Sequence, residues 1–418
     1  MTKGTCPSTE SRIAEESRFD LDEIVRLGAQ RMLQAALEAE VAEYIERHQE
    51  VLDSGGKRVV TRNGRSRERS ILSGAGRLQV QQPRVHDRRS DHHFSSAILP
   101  SYMRRTPSLD NLIPALYLKG VSTGQFPEAL EAILGPDAAG LSANTVTRLK
   151  QQWEDDYKVW ATRDLSKKRY VYLWADGIHF NVRLEEERTC MLVIIGTLKD
   201  GRKELVGLID GYRESKISWQ DLLRGLKARG LKKAPKLAVG DGALGFWAAL
   251  REEFPETCEQ RCWVHKTANI LDKMPKGVQP RAKQRIHDMY LAETKQEALK
   301  AYDEFIALYG AKYPRACNCL IEDKDVLFQF YDFPAEHWQH IRTTNPIEST
   351  FATVRHRTRR TKGCGTRTAT LTMTYKMAME AEKHWRRING YEMIIKIFQG
   401  IKFVDGLEVT RETEEKVA

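Results

Sequence analysis

Three acidic residues lie in very different local sequences and are candidate metal ligands. Asp176 closes the apolar run YVYLWAD, Asp241 closes KLAVGD, and Glu348 opens the basic segment NPIESTFATVRHRTRR. A carboxylate at the end of a buried strand carries a desolvation cost, which a bound cation or a partner offsets. Two such aspartates followed by a glutamate among arginines are the residue types that a two-metal phosphoryl-transfer site needs. The pattern predicts a divalent-metal site that cuts and rejoins nucleic acid.

Each acid also has a simpler interpretation. Asp176 and Asp241 both precede a glycine, and Asp-Gly pairs are common in turns. Glu348, shortly after a proline, could simply complement a helix dipole. The two aspartates are more informative together, because the expected topology places their strands side by side, where like charges repel without a cation. Oxygen ligands favour Mg²⁺, with Mn²⁺ as a substitute, and the three acids predict two ions per site.

The segment from Cys262 to His265 favours further hypotheses. Cys258 precedes it, and Cys317 and Cys319 follow. A structural zinc site normally needs four ligands in paired short spacings, and only the Cys262/His265 half is well formed. A nucleophilic Cys-His pair lacks an identifiable third, orienting group. We therefore interpret Cys262 and His265 as residues that support the acidic site, and zinc binding stays open.

The positive charge of the chain is concentrated in one segment. The net charge is +10, and residues 54–105 hold twelve Lys or Arg against three acids. Arginine binds phosphate oxygens in a forked geometry, so this segment indicates a polyanionic partner, although a solvated basic face is the alternative. The residues of this segment that we expect to contact double-stranded DNA are Arg62, Arg65, Arg67 and Arg84.

Periodicity divides the first part of the chain into three regions. Residues 1–50 contain a long amphipathic helix from Leu21 to about Gln49, and residues 51–106 form an arginine-rich β ribbon. Residues 107–166 show three short helical pieces that favour a helix-turn-helix, with a structural or dimer-forming role as the alternative. The helix opening at Ser142 would present Asn144, Thr145 and Arg148 to the major groove.

The remaining chain has the pattern of an α/β catalytic core. Residues 167–274 alternate strands and helices in an order that predicts a mixed sheet of the RNase H-like fold, with Asp176 ending the first strand and HFNVRL forming a short separate strand. Glu348 lies 107 positions after Asp241, which is more than one connection needs, so we expect an all-helical insertion over 275–335. Residues 336–400 complete the core and 401–418 form a tail. The helix after Glu348 carries cations expected to bind phosphate, namely Arg355, Arg357, Arg359 and Arg360.

Bulk composition excludes other classes of protein. The chain has 418 residues, 41% of them hydrophobic and 30% charged, and no apolar stretch long enough for a membrane span. The N-terminal segment lacks the pattern of a secretory signal, and seven scattered cysteines do not form a disulfide framework. We expect a cytoplasmic, nucleoid-associated protein.

Eight stretches of the chain resemble one known family, the Mutator-type transposases of bacterial insertion sequences. They are ALEAEVAEYIERH, RNGRSRERSILSGAGRLQVQQPRV, LYLKGVSTGQFPEALEAILG, WADGIHFNVR, GYRESKISWQDLLRGLKARGL, VGDGALGFWAAL, QRCWVHKTANIL and RTTNPIESTFATVRHRTRRTKGC. The resemblance implies an RNase H-like core with a helical insertion, an acid triad at Asp176, Asp241 and Glu348, and a Cys-x-x-His motif at Cys262 and His265. It also implies magnesium-dependent cleavage at terminal inverted repeats and strand transfer into target DNA, commonly through a circle. The segment GCGTRTATLTMTYK departs from the family pattern.

The leading hypothesis is therefore a DNA transposase. Two DNA ends must be held together during transposition, so we expect at least a homodimer. A structure-selective nuclease on the same fold and a DNA-binding protein without catalytic activity are the alternatives.

Overall fold

The chain divides into two compact units, Met1–Thr147 and Arg148–Ala418. A computed structural model describes residues 21–89, 92–109, 126–134, 143–180, 189–211, 214–242, 244–360 and 366–409, together with positions 112, 116 and 121. None of the helices in these described parts is both long and apolar enough to cross a membrane.

The first unit combines one long helix with four short strands. Helix α1 covers Leu21–Arg47, as the periodicity predicted; Leu37 and Val41 are buried, whereas Leu21, Ile24 and Val25 are exposed. The strands are β1, Val60–Arg65; β2, Arg69–Ser73; β3, Gly76–Val80; and β4, Pro83–Asp87. Strand β1 pairs with β4 and β2 pairs with β3, both antiparallel. A small core of Leu37, Ile71, Val80 and Leu99 joins the helix to the strands.

Two further helices lie in the region expected to form a helix-turn-helix. Helix α2 covers Phe126–Leu134, and helix α3 covers Ala143–Ala161. Most of the first helical piece, DNLIPALYLKG, and the connection between α2 and α3 lie outside the described residues. The helix-turn-helix assignment therefore stays a prediction.

The second unit is built on a five-stranded mixed sheet. Its strands are β5, Tyr172–Phe180; β6, Thr189–Thr197; β7, Lys203–Gly211; β8, Leu237–Gly240; and β9, Cys258–Arg261. The order across the sheet is β7-β6-β5-β8-β9. Strands β5, β6 and β7 pair antiparallel, whereas β5 with β8 and β8 with β9 pair parallel. The strands that carry the two aspartates are therefore neighbours.

One prediction about the first of these strands was wrong. Asp176 does not end the strand, because β5 continues to Phe180 and pairs with β6 along its whole length, with Asp176 opposite Val193. The Asp-Gly pair after Ala175 suggested a turn, but the long partner strand keeps the backbone extended. The predicted short strand HFNVRL accordingly begins inside β5, and residues 181–188 lie outside the described structure.

Two helices pack on each other over the sheet. They are α4, Lys216–Ala228, and α5, Leu244–Glu253. Trp219 of α4 and Phe246 of α5 meet edge to face, with ring centroids 4.9 Å apart. Both belong to a core that includes strand residues such as Leu173 and Ala238. Burial of such aromatic side chains is a main source of folding free energy.

The rest of the second unit is largely helical. Its helices are α6, Trp263–Leu271; α7, Gln279–Leu291; α8, Lys295–Tyr309; α9, Pro314–Ile321; α10, Lys324–Leu327; α11, Trp338–Ile341; α12, Asn345–Arg360; α13, Arg367–Glu382; and α14, Met393–Gln399. Two 3-10 turns, Gln329–Asp332 and Ala335–His337, precede α11. After α14, two strands of two residues each form an antiparallel hairpin; they are β10, Phe403–Val404, and β11, Leu407–Glu408.

Candidate metal centre

Strand pairing brings two of the three predicted acids together. Ala175 of β5 lies opposite Gly240, the last residue of β8, in parallel register. Asp176 directly follows Ala175, and Asp241 directly follows Gly240, so the two aspartates come after the same pair of opposed residues. Asp176 is only 6% exposed, and Asp241 is partly buried. The sheet therefore holds two carboxylates side by side at a largely buried position.

A third carboxylate, which the sequence did not reveal, completes this group. Ligand oxygens of Asp176, Glu214 and Asp241 all lie within 4.8 Å of one another. Glu214 directly precedes Ser215, whose side chain caps α4 by accepting a hydrogen bond from the Ser218 N–H. Nothing in the local sequence GYRESK indicates a ligand, because Glu214 is positioned by contacts between helices that are distant along the chain.

Glycines on two neighbouring elements make room for Glu214. A Cβ atom added at Gly177 of β5 would overlap with the Glu214 carboxylate. A Cβ atom at Gly245, in the first turn of α5, would lie 2.7 Å from the backbone oxygen of Glu214 and from the backbone nitrogen of Lys216. The close approach of α5 to this segment therefore requires glycine at 245, and the carboxylate position requires glycine at 177.

The acidic group is electrostatically unfavourable without a cation. Burial and, to a smaller extent, the neighbouring Asp241 charge raise the pKa of Asp176 to about 7, while His265 and Arg355 act in the opposite direction. Burial likewise raises the pKa of Glu214 to about 7, with contributions from Asp241 and Asp176. Two carboxyl groups with raised pKa values at one site are typical of a functional centre.

The donor set of this group fits a hard divalent cation. The ligand atoms of Asp176, Glu214 and Asp241 are oxygens, as Mg²⁺ and Mn²⁺ prefer. The Oε1 atom of Glu214 is buried and accepts no hydrogen bond from the described residues. A buried acceptor without a donor is costly, and coordination would satisfy it.

Glu348 belongs to a second group, which His265 joins to the first. Ligand atoms of Cys262, His265 and Glu348 lie within 4.8 Å of one another. His265 Nδ1 is 3.7 Å from Glu348 Oε1, and the positive charge of His265 also lowers the pKa of both Asp176 and Glu214. Glu348 lies in the first turn of α12, as predicted, and is partly buried.

Thr344, just before α12, connects the members of this second group. Its hydroxyl donates to Glu348 Oε1 at 2.9 Å, and its backbone N–H donates to Cys262 Sγ at 3.3 Å. The Thr344 Oγ1 atom also lies 3.3 Å from His265 Nδ1. These contacts orient the Glu348 carboxylate from the chain segment before its helix.

Cys262 and His265 influence each other strongly. The hydrogen bond to Cys262 raises the pKa of His265 to about 9 against the effect of burial, and the charges of Cys262 and Glu348 contribute. Burial alone would raise the pKa of Cys262, but hydrogen bonds from His265 and Thr344 lower it below its usual value. His265 is therefore held as a cation beside the acids.

A zinc site at Cys262 would have fewer ligands than the number of nearby cysteines in the sequence suggested. Among the described residues, the group around Cys262 contains three potential ligands, which are Cys262 itself, His265 and Glu348. Cys258, Cys317 and Cys319 are not part of this group. Cys258 is exposed at the start of β9, whereas Cys317 and Cys319 are buried on α9. The hydrogen bonds of Thr344 already account for the arrangement of Cys262 and His265, which favours the supporting role.

The predicted DNA-binding residues lie on several elements. Arg355 is exposed on α12, and its charge acts on Asp176. Arg357, Arg359 and Arg360 lie on the same helix, but their side chains are outside the described structure, as are those of Asn144 and Thr145 on α3. Arg148 of α3 is exposed. Among the predicted DNA-binding residues whose side chains are described, Arg355 is the one whose charge acts on Asp176.

The arginines of the first unit differ in their surroundings. Arg62 and Arg65 of β1 both pair with Glu38 of α1, at 2.6 Å and 2.8 Å, and each is half exposed. Arg67 and Arg84 are exposed. The ion pairs of Arg62 and Arg65 with Glu38 help to hold α1 on the strands. These two arginines therefore have less positive charge available for DNA than Arg67 and Arg84.

Comparison with known proteins identifies the family. A family model described as "Transposase, Mutator family" matches residues 1–388. The chain belongs to the Mutator family of transposases. The transposase for insertion sequence element IS6120 of Mycolicibacterium smegmatis is 52% identical over 306 residues, which cover 73% of this chain and 94% of that protein.

Two further relatives of the chain are also described as transposases of insertion sequences. The transposase for insertion sequence element IST2 of Acidithiobacillus ferrooxidans is 51% identical over 287 residues, covering 67% of this chain and 95% of that protein. The transposase for IS256 in transposon Tn4001 of Staphylococcus aureus is 30% identical over 295 residues, covering 69% and 73%. The resemblance inferred from the sequence motifs is thereby confirmed.

Proposed function

We propose that this transposase binds the terminal inverted repeats of an insertion sequence and catalyses metal-dependent strand cleavage and strand transfer. The observation that carries the proposal is the group of Asp176, Glu214 and Asp241, whose ligand oxygens lie within 4.8 Å of one another at a buried position. We propose Mg²⁺ as the cofactor, with Mn²⁺ as a substitute and two ions per site.

Four carboxylates of the chain are the proposed ligands. Asp176 and Asp241 are central, since the charge of Asp241 acts on Asp176, on Glu214 and on His265. Glu214 joins them directly, and Glu348 is connected to them through His265. When bound, divalent cations at such a site stabilise the attacking and leaving oxygens of an in-line displacement at phosphorus.

The neighbouring residues have separate roles in this proposal. Arg355, whose charge acts on Asp176, would bind a phosphate of the DNA strand at the acids. His265 and Thr344 hold the Glu348 carboxylate in place. Cys262, buried at the start of α6, keeps His265 positively charged. Residues that position a ligand contribute to the rate because small displacements of reacting groups are costly.

The architecture proposed for the core is RNase H-like. The strand order β7-β6-β5-β8-β9, with three antiparallel strands followed by two parallel ones, supports it. The helices from α7 to α10 lie between Asp241 and Glu348 and fall within the insertion proposed over 275–335. The β strands of the first unit and α3 are proposed to bind DNA, and a homodimer is proposed to hold the two ends together.

Neutral substitutions at the two central acids test the function. Asp176→Asn and Asp241→Asn, each in the full chain with labelled DNA carrying candidate element ends, should lower the rate of strand cleavage by about 10³-fold or more, because both remove a ligand charge. DNA binding should stay within about twofold, since binding to DNA depends chiefly on cations. Cleavage is scored on denaturing gels and binding by mobility shift.

A matched control is available on the same unit. Asp221→Asn removes the same charge from an exposed position on α4 and should leave cleavage unchanged. Chelation should stop cleavage by the unaltered chain, and added Mn²⁺ should restore it. Full activity of Asp176→Asn would contradict the proposal. Cleavage without any joined product would favour the nuclease alternative, and DNA binding with neither product would favour the non-catalytic one.

A further inference from the structure

A cavity of about 310 Å³ opens beside the start of α12, and none of the four acids is among its lining residues. Two surfaces of different chemistry meet in it. One is aromatic and the other is positively charged or rich in hydrogen-bond donors. The residues that define these surfaces are Lys203, His340, Asn345, Ser349, Trp385 and Arg386.

Lys203 is the unusual residue of this cavity. Its ammonium group donates to the backbone oxygen of Arg386 at 2.6 Å, and in the described structure no carboxylate lies within 4 Å of it. An ammonium group has three N–H donors, so donors remain for a ligand. Burial lowers the pKa of Lys203 to about 8. A partly buried cation that lacks an acidic partner favours an anion in the cavity.

Other charges around the cavity act in the same direction. Arg386 is exposed at its rim, and α12 begins there with Asn345 and Pro346. The start of a helix carries a partial positive charge, which stabilises anions. His340 contributes no charge, because burial, with a contribution from the nearby Lys203, holds its ring neutral. The chemistry on this side suits a phosphate group.

Trp385 provides the aromatic surface. Its indole N–H donates to Thr350 Oγ1 at 3.0 Å, which fixes the ring against α12. Trp385 is only partly buried and lines the cavity. Stacking of a nucleobase on such a ring is favourable for any base, since every base has an aromatic face.

The cavity lies within reach of the candidate metal centre. Trp174 and Asp176 are two residues apart on β5 and so share one face of the sheet, about 7 Å apart along the strand. The indole N–H of Trp174 donates to the backbone oxygen of His340, and Lys203 lies 5.9 Å from the Trp174 ring. On α12, Ser349 of the cavity directly follows Glu348. Cavity and acids are thus adjacent on the same sheet face and the same helix.

We propose that this cavity binds one unpaired nucleotide of the DNA strand that is cut or joined, with its base against Trp385 and its phosphate at Lys203 and Arg386. The inference rests on the proposed function for the identity of the nucleic acid. An unpaired nucleotide is favoured over a paired one because a cavity of this size, bounded by a tryptophan, admits a single base outside the stack. Such a contact would fix the neighbouring phosphate relative to the acids.

A binding experiment without metal tests this inference independently of catalysis. Fluorescein-labelled octathymidylate is titrated with the full chain in EDTA, and anisotropy gives the dissociation constant. Lys203→Met and Trp385→Leu should each weaken binding by about tenfold or more, because a charge-assisted hydrogen bond or a base stack is lost. Trp385→Phe should restore most of the affinity, since a ring remains.

Three comparisons separate this site from general charge effects. Lys199→Met removes the same charge from an exposed position in the β6–β7 turn and should change affinity by less than twofold. Thymidine 5′-monophosphate should compete better than thymidine or inorganic phosphate alone. Asp176→Asn should bind the oligonucleotide normally, so that loss of cleavage and loss of nucleotide binding are distinguishable. Thermal unfolding of each variant confirms that it is folded.

Two results would overturn the inference. The first is equal affinity of folded Lys203→Met and Lys199→Met for the oligonucleotide. The second is competition by inorganic phosphate as strong as that by the nucleotide, which would mean that the cavity binds a free anion and that the tryptophan has no part in recognition.

Discussion

The position of the Glu214 carboxylate depends on two glycines that have no functional group. Its carboxylate reaches Asp176 and Asp241 only because positions 177 and 245 lack a Cβ atom. Its buried Oε1 atom has no donor among the described residues. A carboxylate in this situation is stabilised by a cation more than by any change in local packing.

Removal of the Glu214 charge should therefore weaken metal binding. We expect Glu214→Gln to raise the Mg²⁺ concentration for half-maximal cleavage by about tenfold or more, as for loss of groups around a metal. Gly177→Ala should have a similar effect, because its Cβ atom would displace the same carboxylate. The measurement is the cleavage rate as a function of Mg²⁺ concentration. Glu256→Gln, at an exposed position, is the control, and an unchanged Mg²⁺ dependence of Glu214→Gln would refute its role as a ligand.

Thr344 is the second residue whose importance comes from its contacts. Replacement by valine keeps the shape but removes the hydroxyl that donates to Glu348. We expect Thr344→Val to lower the cleavage rate about tenfold at saturating Mg²⁺, because the carboxylate loses its orientation. Thr344→Ser, which retains the hydroxyl, should recover most of the rate. If serine and valine variants were equally slow, the hydrogen bond would not be the cause.

At the scale of elements, packing of α5 against the start of α4 positions the Glu214 segment. Gly245→Ala would place a Cβ atom 2.7 Å from the backbone of Glu214 and Lys216. Backbone atoms cannot move aside as a side-chain end can, so we expect a loss of about 1–3 kcal/mol in the free energy of unfolding and weaker Mg²⁺ binding. Urea denaturation and the Mg²⁺ titration measure the two effects.

Gly225 of α4 offers a control for the same substitution. A Cβ atom at Gly225 meets nothing within 4 Å. Alanine also has the higher helix propensity, so Gly225→Ala should leave the unfolding free energy unchanged or raise it by up to about 1 kcal/mol. A similar loss of stability in both alanine variants would show that the close contact at Gly245 is not responsible.

The elements also show what the sequence could and could not predict. Apolar runs and helical periodicity predicted α1, the strand that bears Asp176, and the pairing of the two aspartates, since these depend on local pattern and on strand order. The length of β5 depends on pairing with β6, so the Asp-Gly pair was misinterpreted as a strand end. Glu214 was missed because its position results from the packing of α4 on α5, and local spacing carries no record of such contacts.

On the scale of the whole molecule, the two units differ in the charged groups that they concentrate. The first unit concentrates arginines on short strands, of which Arg62 and Arg65 are paired with Glu38. The second unit collects carboxylates at one buried position and surrounds them with His265 and Arg355. Because phosphate and carboxylate groups repel each other, we expect the acidic position to accept a phosphate only when a cation is bound.

Buried histidines make the stability of the second unit sensitive to acid. The ring of His340 accepts a hydrogen bond from the Asn389 N–H at 3.1 Å, and burial lowers its pKa to about 4, with a contribution from Lys203. In the unfolded chain its pKa is about 6.5. Between these values the unfolded chain binds more protons than the folded one, so stability is present above pH 6.5 and is lost as the pH falls towards 4.

His340→Gln should remove this part of the acid sensitivity, since glutamine keeps an acceptor for Asn389 but does not titrate. Between pH 7.5 and pH 4.5, the unfolding free energy of the unaltered chain should fall by about 2 kcal/mol more than that of the variant, a value reduced for partial exposure of the ring. Urea denaturation in EDTA, followed by tryptophan fluorescence, gives both free energies, and effects of the carboxylates cancel in the difference. His384→Gln, at an exposed position, should retain the full acid sensitivity. Equal losses in the unaltered chain and in His340→Gln would show that this histidine is not kept neutral by the fold.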